Sequence, residues 1–178
     1  KKDIILKGNH NYENILVTYL VVKLLNINFK YVTEVLKEFK GVEHRLEFVR
    51  NINGVNYYND SKSTNPTSTI TALNSFDNNI DLILGGMERS QDFNDLSPYS
   101  SNIKKIYAIG EVRKRVMEFA EKNNIEAEEF ETLSSAMKKI KEEATSGDTV
   151  LLSPASASWD QYLRFEDRGE EFKKIVNS

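Results

Sequence analysis

The feature that most constrains this chain is a set of short apolar runs, each stopped abruptly by small residues and separated by helical segments. Ile80-Asp81-Leu82-Ile83-Leu84 ends at Gly85-Gly86, Ile103 to Ile109 ends at Gly110, and Thr149-Val150-Leu151-Leu152 ends at Ser153-Pro154. Between the second and third lie a helix-period segment from Val112 to Asn123, a brief strand from Ala127 to Phe130, and a second helical segment from Ser134 to Ala144 with Ser134 as its cap. A final helical stretch runs from about Phe165 to Val176. Repeated β-α units of this length can only close as a mostly parallel sheet with helices on both faces.

An antiparallel piece precedes that block. Leu46 to Arg50 alternates at period two, Asn53-Gly54 is a two-residue turn signal, and Val55, Tyr57 and Tyr58 continue a second strand to Asp60. Pro66 suits the first turn of the helix that follows, whose apolar face is Ile70, Leu73 and Phe76. The predicted fold is therefore α/β: a Rossmann-like, mostly parallel sheet with flanking helices and an N-terminal β-hairpin.

Residues 1–41 read differently. Ile4-Ile5-Leu6 is a short strand stopping at Gly8, and a helix capped by Asn11 runs to about Leu25. That helix is apolar nearly all round and expects burial on several sides, yet little sequence nearby offers to cover it. A second helix carries Val32, Val35, Leu36 and Phe39 and ends at Gly41. The segment looks like a helical tail of another domain, with a boundary at 41/42.

Composition narrows the partners. Among 178 residues, a net charge of −3 with no basic stripe disfavours nucleic acid, and the absence of cysteine excludes disulfides and thiolate metal sites. No stretch has the length of a membrane span. His10 and His44 without clustered carboxylates predict no tight metal. Neither a phosphate-loop motif nor a Gly-x-Gly-x-x-Gly fingerprint is present, so hydride transfer has no support.

In an open parallel sheet, ligands bind beyond the carboxyl ends of the strands. The polar residues falling there are Asp60 to Pro66, Gly85 to Arg89, Gly110-Glu111, and Ser153 to Gln161. Cations, hydroxyls and close-approach glycines on one rim suit a small anion. Each residue also has a plain structural reading: Asp60 as a turn cap, Lys62 as a solvated lysine, Ser153 and Ser156 as helix caps, Trp159 and Tyr162 as core. His10 beside Gly8 offers a strand-helix junction for a phosphate or ribose. His44-Arg45 either pins the second part to the first or meets a nucleotide lying between them.

Specific runs then carry a resemblance. Lys7-Gly8-Asn9-His10-Asn11-Tyr12-Glu13-Asn14 resembles the Gly-x-His-Asn-x-x-Asn segment of the Mur ligases, and Gly41-Val42-Glu43-His44-Arg45 their Gly-Leu-x-His-Arg junction. Asn59 to Thr69, Leu84-Gly85-Gly86 with Asp92-Phe93, and Leu152 to Tyr162 with Phe165-Glu166 and Arg168-Gly169 resemble the D-glutamate-adding branch of that family. Ser61-Lys62-Ser63-Thr64 disfavours a folate-glutamylating relative; a stand-alone ligand-binding module is the alternative from another class.

The resemblance implies that residues 1–41 end a central ATP-binding domain and 42–178 form the C-terminal, D-glutamate-binding domain of a cytoplasmic, monomeric ligase. It implies ATP and Mg²⁺ as cofactors, with the Mg²⁺ ligands in the central domain, and UDP-N-acetylmuramoyl-L-alanine and D-glutamate as substrates. By position, Asn11 and Asn14 approach the adenine, and Arg45 and Asp60 meet phosphates and ribose. Lys62, Asp60 and His44 belong to the reaction centre. Thr64, Arg89, Ser158, Trp159 and Phe165 hold the glutamate, with Arg89 standing where the family usually has lysine.

Overall fold

The computed structural model describes Leu6 and residues 9–178, the side chains of Asn9 and His10 aside. Ile4 and Ile5 of the expected strand, the glycine at position 8 and the side chain of His10 lie outside what is described.

Two helices come first, α1 (Asn9–Leu24) and α2 (Phe29–Glu38). Helix α1 begins two residues before the expected cap, so Asn11 sits inside its first turn. Among the described residues nothing supplies the burial that its sequence asks for: Leu16, Val17, Leu20, Val21 and Leu24 are all exposed. Helix α2 is capped by Asn28, whose side chain accepts from the Lys30 amide at 2.9 Å.

The sheet has six strands in the order β1-β2-β6-β3-β4-β5. Strands β1 (Glu47–Ile52) and β2 (Val55–Asn59) form the antiparallel hairpin. Asn53 and Gly54 take φ of 51° and 86°, the left-handed conformations a two-residue hairpin loop needs. The register slips between Phe48 and Arg50, so the alternation read through this stretch is broken by a bulge. Every other neighbouring pair is parallel: β2 with β6 (Thr149–Leu152), β6 with β3 (Ile80–Gly85), β3 with β4 (Ile103–Ile109), and β4 with β5 (Glu126–Glu129).

Helices α3 (Pro66–Leu73) and α4 (Arg113–Lys122) cover one face; α5 (Leu133–Glu143) and α6 (Phe165–Asn177) cover the other. Strand β3 is buried along its whole length, as a central strand covered on both faces must be. Leu82 and Leu84 join the core beneath α3 and α4, while Ile83 joins the core beneath α5 and α6. Burying each such side chain stabilises the fold by roughly 1.5–3 kcal/mol.

Caps decide the helix starts. Pro66 takes the first turn of α3 while Asn65 accepts from the Ser68 amide at 2.9 Å. Helix α5 is capped by Thr132, not Ser134, in a reciprocal pair with Ser135. A 3₁₀ segment, Phe93–Asn102, was absent from the sequence reading; Pro98 inside it removes a donor and blurs any helical period.

Candidate functional site

Strand β6 lies between β2 and β3, so the loops leaving these three strands meet at the carboxyl edge of the sheet, where the winding direction reverses. The backbone ties them together. Asp60 N–H donates to Leu152 O at 2.8 Å, Gly85 N–H to Pro154 O at 2.9 Å, and Met87 N–H to Ala157 O at 2.9 Å. Gly86 has φ +148°, and a Cβ there would fall 2.4 Å from Ala157 O, so only glycine permits this approach.

Asp60 is 3% exposed and more than a turn cap. Its Oδ1 accepts from the Leu46 amide at 3.1 Å; its Oδ2 accepts from Ser153 Oγ at 2.8 Å and from the Ser63 hydroxyl. Burial pushes its carboxyl up to about 6 despite those donors and the nearby Arg45 charge. Thr69 Oγ1 lies 3.0 Å from the same Ser153 hydroxyl and donates to Ser153 O at 3.3 Å. Neither Ser153 nor Ser156 is a helix cap; the Ser156 hydroxyl accepts from Gln91 Nε2 at 2.6 Å.

His44 turns inward. It is 5% exposed, and Asn59 Nδ2 donates to its Nδ1 at 2.9 Å and to Glu47 Oε2 at 3.0 Å. That donation leaves the proton on Nε2, which lies 3.7 Å from Glu170 Oε1. His44 is therefore bonded to the end of β2 and packs against α6, edge-on to Phe165 at 6.0 Å, within the second part of the chain. It neither bridges to the first part nor lines the neighbouring cavities. Residues His44 and Leu46 have φ of 61° and 45°, strained for non-glycine residues, and Arg45 lies between them.

Arg45 lines two cavities. One, of about 410 Å³, is polar and also lined by Asp60, Lys62, Ser63, Asn65 and Thr67. The other, of about 700 Å³, is a mostly apolar groove between the two N-terminal helices and the hairpin, with Asn11, Asn14, Leu36, Phe39 and Tyr58 on its walls. Thr64 is half-buried in the same turn as Lys62 but outside the lining of the polar cavity.

The remaining expected residues cluster on the β3 and β6 loops and the start of α6. Lys62 Nζ lies 6.0 Å from the Phe165 ring centre, and the Arg89 guanidinium lies 5.3 Å over the Trp159 ring. Trp159 is 62% exposed, so the core reading of this residue is wrong. Ser158 is 2% exposed, and its hydroxyl has no hydrogen-bond partner among the described residues.

Arg168, to which the sequence reading gave no role, is the hub. It is 1% exposed; its Nε donates to Ser61 Oγ at 2.9 Å and its Nη2 to Ser61 O at 2.9 Å and Ser156 O at 3.1 Å. Ser61 Oγ in turn donates to Phe165 O at 2.7 Å. The signal was legible: Arg168 shares the apolar stripe of Phe165, Phe172 and Val176, and a cation on a core face needs a reason.

These features define an α/β domain whose sheet rim carries cations and buried hydroxyls, with a mostly apolar groove beside its hairpin. Residues 44–156 match the family described as Mur ligase, glutamate ligase domain, and the chain belongs to that family. It is 45% identical over 176 residues to the UDP-N-acetylmuramoylalanine–D-glutamate ligase of Bacillus cereus (strain AH187), covering 98% of this chain and 39% of that protein. It is 44% identical over 176 residues, with the same coverage, to the enzyme of that name from Bacillus mycoides (strain KBAB4). The chain thus spans 39% of the length of the curated relatives it matches.

In fold it is similar to the UDP-N-acetylmuramate-alanine ligase of Thermotoga maritima, with TM-score 0.73, 17% identity, and 97% of this chain and 39% of that one covered. It is also similar to a MurF ligase of Thermotoga maritima in complex with ADP, with TM-score 0.58, 19% identity, and 92% of this chain and 38% of that one covered.

Proposed function

We propose that this chain is the C-terminal part of an ATP-dependent ligase that adds D-glutamate to UDP-N-acetylmuramoyl-L-alanine through an acyl phosphate, in cytoplasmic peptidoglycan precursor synthesis. On this reading residues 1–41 end the central ATP-binding domain and 42–178 form the D-glutamate-binding domain of a monomer. The observation that carries the proposal is Arg45, shared between an apolar groove and a polar cavity. The groove suits an adenine, with Asn11 and Asn14 as amide partners; the polar cavity suits the reacting groups.

ATP supplies the phosphoryl group that activates the substrate carboxyl. This chain's residues bind and orient. Arg45 offers a guanidinium to phosphate oxygens, and Asp60, held by Leu46, Ser63 and Ser153, offers an acceptor to a ribose hydroxyl. Lys62 lines the same cavity and stabilises negative charge at the reaction centre. His44 acts from behind, holding Asn59 and so the strand end that delivers Asp60. Thr64, Arg89, Ser158 and Phe165 receive the acidic amino acid, with Trp159 serving it through the Arg89 guanidinium that lies over its ring, and the amine must be kept deprotonated and dry against the activated carbonyl.

Mg²⁺ does not fit the one three-ligand group found among the described residues. Glu43, His44 and Glu170 form a three-residue group, but the Lys173 ammonium lies 2.7 Å from Glu170 and pairs with Glu43 as well. An ammonium already neutralises those carboxylates, so the ion belongs with the central domain.

Phosphate release tests the proposal. The full-length ligase should release phosphate from ATP only when both D-glutamate and UDP-N-acetylmuramoyl-L-alanine are present, and this chain alone should release none. Turnover by the chain alone, or a full-length protein indifferent to D-glutamate, would overturn it.

A further inference from the structure

Arg89 is held in place without being neutralised. Its neighbour Glu88 is turned away to Arg115, at 2.7 Å, and among the described residues no carboxylate pairs with Arg89. What holds Arg89 is an aromatic face, the Trp159 indole at 5.3 Å, and an amide: its backbone N–H donates to Gln91 Oε1 at 2.9 Å. Gln91 Nε2 donates onward to Met87 O at 3.1 Å and to Ser156 Oγ at 2.6 Å, so one side chain fixes the β3 loop to the β6 loop. Ser90, in the middle of this turn, has φ 55°.

The chemistry of the holder matters. A carboxylate would hold a guanidinium at least as firmly but would cancel its charge. An indole holds it through the ring quadrupole and leaves the formal charge whole, with the guanidinium edge free to donate. A lysine ammonium in this place would stack less well, so the tryptophan suits the arginine. Trp159 keeps 62% of its surface in solvent, far more than a core role would leave it.

We propose that Trp159 and Gln91 are positioning residues for Arg89. They hold its guanidinium un-neutralised so that it meets a carboxylate of the incoming acidic amino acid. The inference rests on the ligase reading above and deepens its amino-acid subsite.

The test is steady-state kinetics on the full-length ligase, varying D-glutamate and ATP separately. Trp159→Ala should raise KM for D-glutamate about five-fold, the scale of one exposed cation–π contact, with kcat and KM for ATP within about two-fold. Trp159→Phe should recover most of the loss. Trp159→Glu should be worse than Trp159→Ala, because a carboxylate there holds Arg89 and cancels it. In an Arg89→Ala background, Trp159→Ala should add nothing further. Gln91→Leu, which keeps the volume and loses the amide, should raise the same KM without touching that for ATP.

Equal factors for Trp159→Ala in both backgrounds would overturn the inference, as would a parallel rise in KM for ATP or a Trp159→Glu variant better than Trp159→Ala. A wild-type enzyme that fails to saturate with any acidic amino acid would instead overturn the ligase reading itself.

Discussion

The Ser153 hydroxyl donates to the Asp60 carboxylate at 2.8 Å, joining positions 93 residues apart in the chain. This bond holds the end of β2 to the end of β6, and the Leu46 amide and the Ser63 hydroxyl reinforce it from the β2 side. Ser153→Ala should therefore lower stability by about 1–3 kcal/mol, because it removes a donor from a buried acid that cannot replace it with water. Thermal melting of the chain checks this: a shift below about 2 °C would show that the bond contributes little.

Two buried acids set a pH signature. Burial holds both Asp60 and Asp81 up at about 6, above the ordinary value of 3.8. Between roughly pH 4 and 6 the folded chain then binds more protons than the unfolded one, so these groups' contribution to stability falls as pH rises. Asp81 is the cleaner probe: it is 1% exposed, neither oxygen has a hydrogen-bond partner among the described residues, and it lies away from the cavities. Relative to the parent chain, Asp81→Asn should gain on the order of 2–3 kcal/mol as pH rises through that window. Denaturant titrations at several pH values measure it, and a flat difference would count against the burial argument. Glu143, held at about 2 by Lys105 and Lys139, works in the opposite sense below pH 4.5, which is why the difference between variants is the quantity to read.

Gly169 faces His44 inside α6. A Cβ there would lie 2.3 Å from His44 Nδ1 and 3.1 Å from Asn59 Nδ2. Gly169→Ala should gain about 1 kcal/mol in helix propensity and lose more by displacing the imidazole, for a net loss of about 1–3 kcal/mol. Adding His44→Ala vacates the space, so the double variant should be more stable than the sum of the singles predicts. Strict additivity would place the conflict elsewhere.

Arg168→Met keeps the volume of the hub and removes its donors. The Ser61 and Ser156 carbonyls then lose partners in a buried place, and stability should fall by about 2–4 kcal/mol. If melting is unaltered, the loops after β2 and β6 are held by their backbone bonds alone.

The exposed face of α1 should bind a hydrophobic dye. Leu16, Leu20 and Leu24 lie uncovered on it, and a core-like helix left open is a binding surface for any apolar probe. Deleting residues 1–41 should remove most of the fluorescence and leave the cooperative melt of the remainder in place. Loss of the melt would mean that the first two helices belong to the second unit's core.

Much of this was legible before any coordinates. The strands ending in Gly85-Gly86, Gly110 and Ser153-Pro154 stand where their apolar runs placed them, because buried parallel strands leave a simple hydrophobic trace. Boundaries set by side-chain caps were less visible: Thr132 and Ser134 are equally good residues for a helix start, and only the Ser135 partnership separates them. The site was legible as a set of loops but not as a network. Whether His44 points into a cavity or into Asn59 depends on two left-handed residues at 44 and 46, whose φ no local pattern announces. Gln91 was missed because its role lies in a contact between loops distant in sequence, whereas Arg168 announces itself as a cation on the apolar stripe of α6 and only its partners were hidden.

The placement of β6 also bears on how the chain acquires its shape. Strands β2 and β3 each bond to β6 and not to one another, so the centre of the sheet cannot close until residues 149–152 have arrived. From the completion of β5 at residue 129 until β6 arrives, a growing polypeptide would carry a finished hairpin and a three-strand fragment whose facing edges are bare. Such contacts, remote in sequence, fold slowly and expose strand edges meanwhile. A stop codon between β5 and β6 would therefore do more than shorten the product: it would leave two half-sheets with nothing to join them.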